Sequence, residues 1–270
     1  MPDLEGNMHI LRLIPYFIKV SFQEEAAYRA NFFISLFTSV LNLATGVLGI
    51  MILFGQIDSI HGWNEASTMA LLGIYLMVTA LRGLFIGPGL DALAGMDGEI
   101  WAGKFDFVLL RPLNTQALVS LRKWRLFSLF DLLLGLGVFI LALAKMQTVL
   151  SAWQIFSFVI ALFSGLVILY AILLIFSALV FWSPGVLFTW VFDGLFQMAR
   201  YPMGMYPGWL RLVLTWIIPV GMITTIPAEA LTGSLEPVML VASLLLAAAL
   251  FAAGTALFQI GLRRYSSASS

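Results

Sequence analysis

Six apolar stretches divide the sequence, at about residues 31–54, 66–87, 124–144, 153–181, 208–226 and 238–260. Each approaches or exceeds the roughly 20 residues that a helix needs to cross a bilayer. The segments between them are short, with one exception. Asp91–Gln116 (DALAGMDGEIWAGKFDFVLLRPLNTQ) sets four acidic side chains (Asp91, Asp97, Glu99, Asp106) and two basic ones (Lys104, Arg111) between the second and third stretches. No stretch keeps the period-two alternation of a barrel strand. Ahead of the first stretch, residues 8–28 place Ile10, Leu11, Leu13, Ile14, Phe17, Ile18 and Phe22 at roughly helical spacing, interrupted by Arg12, Lys19, Gln23 and Glu24. That pattern predicts an amphipathic helix in the membrane interface; the plainer alternative is a frayed start to the first span.

The predicted fold is an all-α integral membrane protein. Residues 1–30 hold the interfacial helix. Residues 31–265 form one domain of six transmembrane helices, with a long loop at 88–123, and residues 266–270 form a flexible tail. Residues 186–207 are aromatic and amphipathic but broken by Pro202, Gly204 and Pro207, so they are expected at the interface. The stretch Pro227–Pro237 reads as a loop or a short re-entrant helix.

Composition removes several classes. The 270 residues are 61% hydrophobic and 10% charged, against roughly 25% charged in soluble domains. A net charge of zero argues against nucleic acid as a partner. The absence of cysteine removes disulfides and thiolate metal sites, and His9 and His61 are too few and too far apart for a metal centre. The N-terminus lacks the basic region of a cleavable signal peptide. Basic residues fix an orientation. With the N-terminus inside, Arg12, Lys19, Arg29, Lys104, Arg111, Arg122, Lys123, Arg125, Arg200, Arg211, Arg263 and Arg264 fall on the inner side, and Lys145 alone lies in an outer loop.

The long loop carries most of the candidate chemistry. Gly98–Lys104 matches the G-x4-G-K part of a phosphate-binding loop, but Phe105 stands where a hydroxyl must hold Mg²⁺, and no strand precedes it. The chain is therefore expected to bind no ATP, Mg²⁺ or other cofactor itself. The same segment reads as a short helix from about Asp97 to Leu110. Asp97 and Glu99 suit its first turn, and Arg111-Pro112 ends it. Ile100, Trp101 and Phe105, set beside Lys104 and Asp106, make either a protein-contact patch or an ordinary solvated loop. Arg82 and Asp131 lie at similar depth in spans two and three, and charges inside spans tend to pair; they are expected to pair with each other. Glu229 stands either on a re-entrant turn near an exit or as an exposed loop carboxylate. There is no G-x-S-x-G, no H-E-x-x-H and no intramembrane carboxylate pair, so a hydrolase has nothing to work with.

Three segments carry a likeness: Gly103–Leu113 (GKFDFVLLRPL), Ala199-Arg200-Tyr201-Pro202 through Pro219 and Pro227, and Gly261-Leu262-Arg263-Arg264-Tyr265. Over nearly the whole chain the pattern resembles the six-span permease subunits of bacterial ABC-2 type transporters. The resemblance implies an exporter built from two permease chains, as a homodimer or similar heterodimer, and a cytoplasmic ABC ATPase dimer that holds ATP and Mg²⁺. It implies a lipid-embedded chain of the bacterial cytoplasmic membrane with both termini cytoplasmic. It makes the loop helix a coupling helix docked in the ATPase, which assigns that role to Asp97, Glu99, Ile100, Trp101, Lys104, Phe105, Asp106 and Arg111. The path would run between the permease chains, lined by spans one, two and five. Because the segment after span five is short, the re-entrant pair of such permeases is expected to be reduced. The alternative is a self-sufficient secondary transporter or channel, which should show internal repeats.

Overall fold

The computed structural model describes residues 2–94, 98–147, 149–183 and 188–265; of residues 2–9, 29 and 188 it describes the backbone only. The elements, in order, begin with α1 (Pro2–Ala27), α2 (Arg29–Phe54) and α3 (Glu65–Asp91). Two short helices follow, α4 (Asp106–Leu109) and α5 (Thr115–Leu121). Then come α6 (Ser128–Met146), α7 (Ala152–Leu179), α8 (Phe188–Phe196), α9 (Gly208–Ile217), α10 (Val220–Thr232) and α11 (Pro237–Arg264). Five of these, α2, α3, α6, α7 and α11, are long and apolar enough to cross a membrane, and a sixth candidate is the bent pair α9–α10.

Local chemistry sets the helix ends. Asn64 opens α3 with a capping box: its side chain accepts from Ser67 N–H at 2.9 Å, and Ser67 Oγ accepts from Asn64 N–H at 3.0 Å. Ser151 and Gln154 do the same for α7. Gly233, at φ +76°, terminates α10 in the left-handed region that glycine tolerates.

The buried centre is α3, α7 and α10. Glycines let their neighbours approach: a Cβ on Gly73 would lie 2.7 Å from Phe139 Cα on α6, and one on Gly135 of α6 would lie 2.8 Å from Met77 N on α3. The two glycines thus open one close crossing from both sides. Gly165 plays the same part between α7 and Ile223 of α10. By contrast α2 is barely covered, and Phe33, Ile34, Phe37, Leu48, Met51 and Ile52 are exposed.

The bundle has two distinct ends. The turns after α2, α6 and α10 share the far end, where Lys145 Nζ lies 3.0 Å from Glu65 Oε1 and Gln154 Nε2 donates to Leu231 O at 3.0 Å. The near end holds α1, α4, α5 and residues 98–127. There Ser21 Oγ accepts from Trp124 N–H at 3.1 Å and Glu25 Oε2 accepts from Leu126 N–H at 2.9 Å, fastening α1. Burial pushes the Glu25 carboxyl above the usual carboxylate range, against the pull of those backbone donors and of Arg125.

The region 188–232 departs from the sequence reading. Residues 188–206 do not lie flat at one end. Phe192 packs on Phe176 of α7, Phe196 on Tyr75 of α3, and Ala199 O accepts from Thr224 Oγ1 at 3.0 Å. Further on, the Tyr201 hydroxyl sits beside Gly49 of α2, and Gly204 faces His61. The segment therefore climbs the bundle from near end to far end. Its 3₁₀ turns, Gln197–Arg200 and Met203–Met205, and the extended Tyr201 gain more length per residue than an α-helix. About a dozen residues thus match a height that α3 covers in roughly 26 Å. Nor do residues 208–226 form one straight span. Helices α9 and α10 meet at 97° around Ile218-Pro219, where proline has no N–H to continue the ladder. The pair starts beside Gly204 and returns to Gln154, so both its ends are at the far end. The chain thus folds sharply back at Ile218-Pro219 in place of one straight helix.

A candidate docking surface rooted in the helix ends

The expected helix over Asp97–Leu110 is not formed as one element. Asp97 lies outside the described residues, residues 98–105 run in turns, and only Asp106–Leu109 is helical. Gly103 supplies the reason, with φ +68° interrupting any helix. What results is a compact knob with an inward and an outward face.

Its inward face is fixed by two different chemistries. The Phe105 ring is fully buried and meets Phe181 at 5.5 Å and Tyr265 at 5.2 Å, both edge-on. It thereby roots in the near ends of α7 and α11. Phe181 is admitted there because Gly261 has no side chain; a Cβ would lie 2.4 Å from the ring. Ile100 is buried alongside. The second attachment is ionic. Glu99 contacts Arg122 Nη2 directly and Lys123 Nζ at 3.0 Å, with the Glu99 and Arg122 side chains 14% and 12% exposed. Burial, then the neighbouring Asp106 carboxylate, push the Tyr265 hydroxyl up to about 12.

The outward face is apolar. Trp101, Phe107 and Leu110 are 57%, 69% and 79% exposed, and Lys104 and Arg111 stand exposed around them. An aromatic and a leucine presented beside cations have the composition of a protein-contact patch. Behind it, α5 is clasped to α7 and α11: Gln116 Nε2 donates to the Tyr170 hydroxyl at 3.3 Å and to Thr255 Oγ1 at 3.2 Å, and Ser120 Oγ lies 2.9 Å from the same tyrosine oxygen.

The sequence-predicted residues thus divide. Trp101, Lys104 and Arg111 face outward. Glu99, Ile100 and Phe105 face inward and hold the knob, and Asp106 sits half-buried beside Tyr265. Phe107, Leu110, Gln116, Arg122 and Lys123 were missed as parts of this surface and its anchorage. For Phe107 and Leu110 the i, i+3 spacing was a usable signal. For Arg122 there was none, because it meets Glu99 across 23 residues of chain.

The expected Arg82–Asp131 pair is corrected. Arg82 Nη1 lies 2.5 Å from Asp193 Oδ1, and Nη2 lies 3.9 Å from Asp91 Oδ2. Asp131 sits instead beside Ser39 and Arg125. The cause is the climb of residues 188–206, which brings Asp193 into the bundle, and the π turn Arg82–Ile86, which re-aims Arg82. All four groups line one cavity of about 260 Å³. Glu229 is on α10, half-buried at the far end, and not in a free loop.

An all-helical chain with five or six apolar helices of spanning length is a multi-pass membrane protein. More narrowly, residues 40–269 match the model of the family described as ABC-2 family transporter protein, and the chain belongs to that family. It is a membrane transport component. No curated protein and no solved structure matches it.

Proposed function

We propose that the chain is the permease subunit of an ABC-2 type exporter of a bacterial cytoplasmic membrane, supplying half of the translocation path and driven by a separate cytoplasmic ATPase dimer. The observation that carries this reading is the near-end knob: apolar side chains exposed outward, on a base locked inward by Phe105 and Glu99. A floppy loop would absorb a push. A knob packed on α7 and α11 passes it to the helices. In this reading α2, α3, α6, α7 and α11 cross the membrane, residues 188–206 make the sixth crossing, and α9–α10 is an outer re-entrant pair. Both termini and the knob are then cytoplasmic. ATP binding closes the ATPase pair and moves the knob, and the helices change tilt. The chain contributes only different affinities for cargo in its two states. The exposed face of α2 is where a second permease chain or lipid covers the bundle.

The test is co-purification from membranes with an ATP-hydrolysing subunit. Trp101→Ala and Leu110→Ala, both at exposed side chains, are expected to leave the melting temperature unchanged. Each should weaken ATPase association by the roughly 2 kcal/mol of an interface hot spot, about thirtyfold. If no ATPase travels with the chain and transport survives both substitutions, the self-sufficient transporter takes its place.

A further inference from the structure

The far end holds a second, separate cavity, of about 510 Å³, between the α2–α3 turn and the re-entrant pair. Arg211 and Trp216 of α9 line one side, and Thr225 and Glu229 of α10 and Glu236 line the other. Trp63 closes its base, buried and held by a two-residue turn: Ile60 and Trp63 exchange both backbone hydrogen bonds at 2.9 Å, with His61 and Gly62 at φ +48° and +83°.

Two independent features point to a ligand for this cavity. The first is charge. Among the described residues, no ion pair involves Arg211, Glu229 or Glu236. A guanidinium and two carboxyl groups thus face one cavity with no ion pair between them. The second is Thr225. A helical threonine or serine in an apolar setting ordinarily gives its proton to the carbonyl four residues back. Thr38, Thr45, Thr79, Ser120 and Ser177 all do so here, at 2.8–2.9 Å. The Thr225 hydroxyl does not, nor does that of Thr68, which does not line this cavity. Thr225 is 4% exposed, has no partner, and lines the cavity. A buried hydroxyl left unpaired costs about 1–3 kcal/mol, so a ligand that satisfies it gains that much.

We propose that this cavity is a binding site for a small zwitterion that carries an ammonium and a phosphate, such as a free amino-phosphate or a zwitterionic lipid headgroup. The guanidinium of Arg211 suits the phosphate, for which its planar donor fork is shaped. The carboxylates Glu229 and Glu236 suit the ammonium, and the Trp216 ring adds an aromatic face for it. A simple cation would leave Arg211 unmatched, and a simple anion would face two carboxylates. The site lies at the opposite end from the knob and does not depend on any ATPase partner.

The test is equilibrium binding to the purified full chain in detergent, with O-phosphoethanolamine, ethanolamine and inorganic phosphate as separate probes. O-Phosphoethanolamine is expected to bind at least about tenfold tighter than either half, and Arg211→Gln and Glu229→Gln are each expected to weaken it about tenfold or more. Thr225→Val guards against misfolding: it should weaken the probe while leaving the melting temperature of the empty protein unchanged or higher, since it removes an unpaired group. In phosphatidylglycerol nanodiscs, displacement of the probe by added phosphatidylethanolamine identifies the lipid headgroup as the source, and persistence of binding identifies the free solute. Ethanolamine binding as tightly as the full probe, no binding of any probe, or indifference to both charge substitutions overturns the proposal.

Discussion

Phe105→Ala removes the knob's main anchor, and its effect can be worked from the contacts. The ring is fully buried and meets two aromatic edges, on Phe181 and Tyr265. Truncating a buried phenylalanine costs about 3–5 kcal/mol, part transfer and part cavity. The two ring pairs account for about 0.5–1.5 kcal/mol each within that. Taking the lower bound, about 3 kcal/mol, local opening of the knob becomes roughly a hundredfold easier. The assay is amide hydrogen exchange, read at bonds internal to the knob: Ala102 N–H to Gly98 O, Phe105 N–H to Glu99 O and Leu110 N–H to Asp106 O. These should exchange about a hundred times faster, while the interior of α7 stays protected, because the perturbation is confined to a locally unfolding unit. Phe105→Leu fills most of the space, should cost under about 1.5 kcal/mol, and should speed exchange by tenfold or less. Equal exchange in wild type and Phe105→Ala would refute the idea that this ring roots the knob. So would a leucine variant as loose as the alanine.

Substitutions at three further places have signed outcomes, each with its control. Glu99→Gln strands two cations, one of them with a side chain only 12% exposed; it should lower the melting temperature, and the double change Glu99→Gln/Arg122→Gln should cost less than the sum of the singles by about 0.5–3 kcal/mol. Gly89→Ala would put a Cβ 2.0 Å from Val119 O, so α3 and α5 must part and thermal stability must fall, whereas Gly137→Ala meets nothing within 4 Å and should gain up to about 1 kcal/mol of helix propensity. Asp193→Asn leaves Arg82 with Asp91 at 3.9 Å and should destabilise the chain by about 1–3 kcal/mol; a larger loss from Asp131→Asn would restore the pairing that the sequence suggested.

What could be read from the sequence follows the length scale of the signal. Helices α2, α3, α6, α7 and α11 run 19–28 residues, long enough that an apolar average marks them without any knowledge of their neighbours. The segment 188–232 carries just as much apolar residue, but Pro202, Pro207 and Pro219 cut it into pieces shorter than a span. A sequence window that assumes 1.5 Å per residue cannot see that 3₁₀ and extended backbone reach further. With residues 186–207 read as interfacial, Asp193 is out of reach of span two, and the sequence pairs Arg82 with the wrong carboxylate. In the knob the composition of a contact patch was legible, but the split between anchors and contacts was not. Turns around Gly98 and Gly103 have no period, so nothing in the order Ile100, Trp101, Phe105 says that the middle one alone faces out.

The anchors share a destination, and that narrows what the knob can move. Phe105 packs on Phe181 and Tyr265, at the ends of α7 and α11. Gln116 and Ser120 of α5 bind Tyr170 of α7 and Thr255 of α11. Chemically unrelated attachments, one aromatic and one polar, thus converge on the same helix pair, which is further joined by Ser164 and Ser243 at 3.1 Å. From α7 the next close contact is Gly165 against the backbone of Ile223, on the inner half of α10. Backbone-to-backbone packing too close to admit a Cβ leaves no slack, because close-packed interiors are stiff. A displacement of the knob is therefore carried to α7 and α11 and from α7 to α10, the helix that bears Thr225 and Glu229. Helix α2 shares none of these attachments and so has no reason to follow. Cross-linking α7 to α10 near Gly165 should accordingly leave knob and far-end cavity moving as one body, while a cross-link that holds α2 should not impede them.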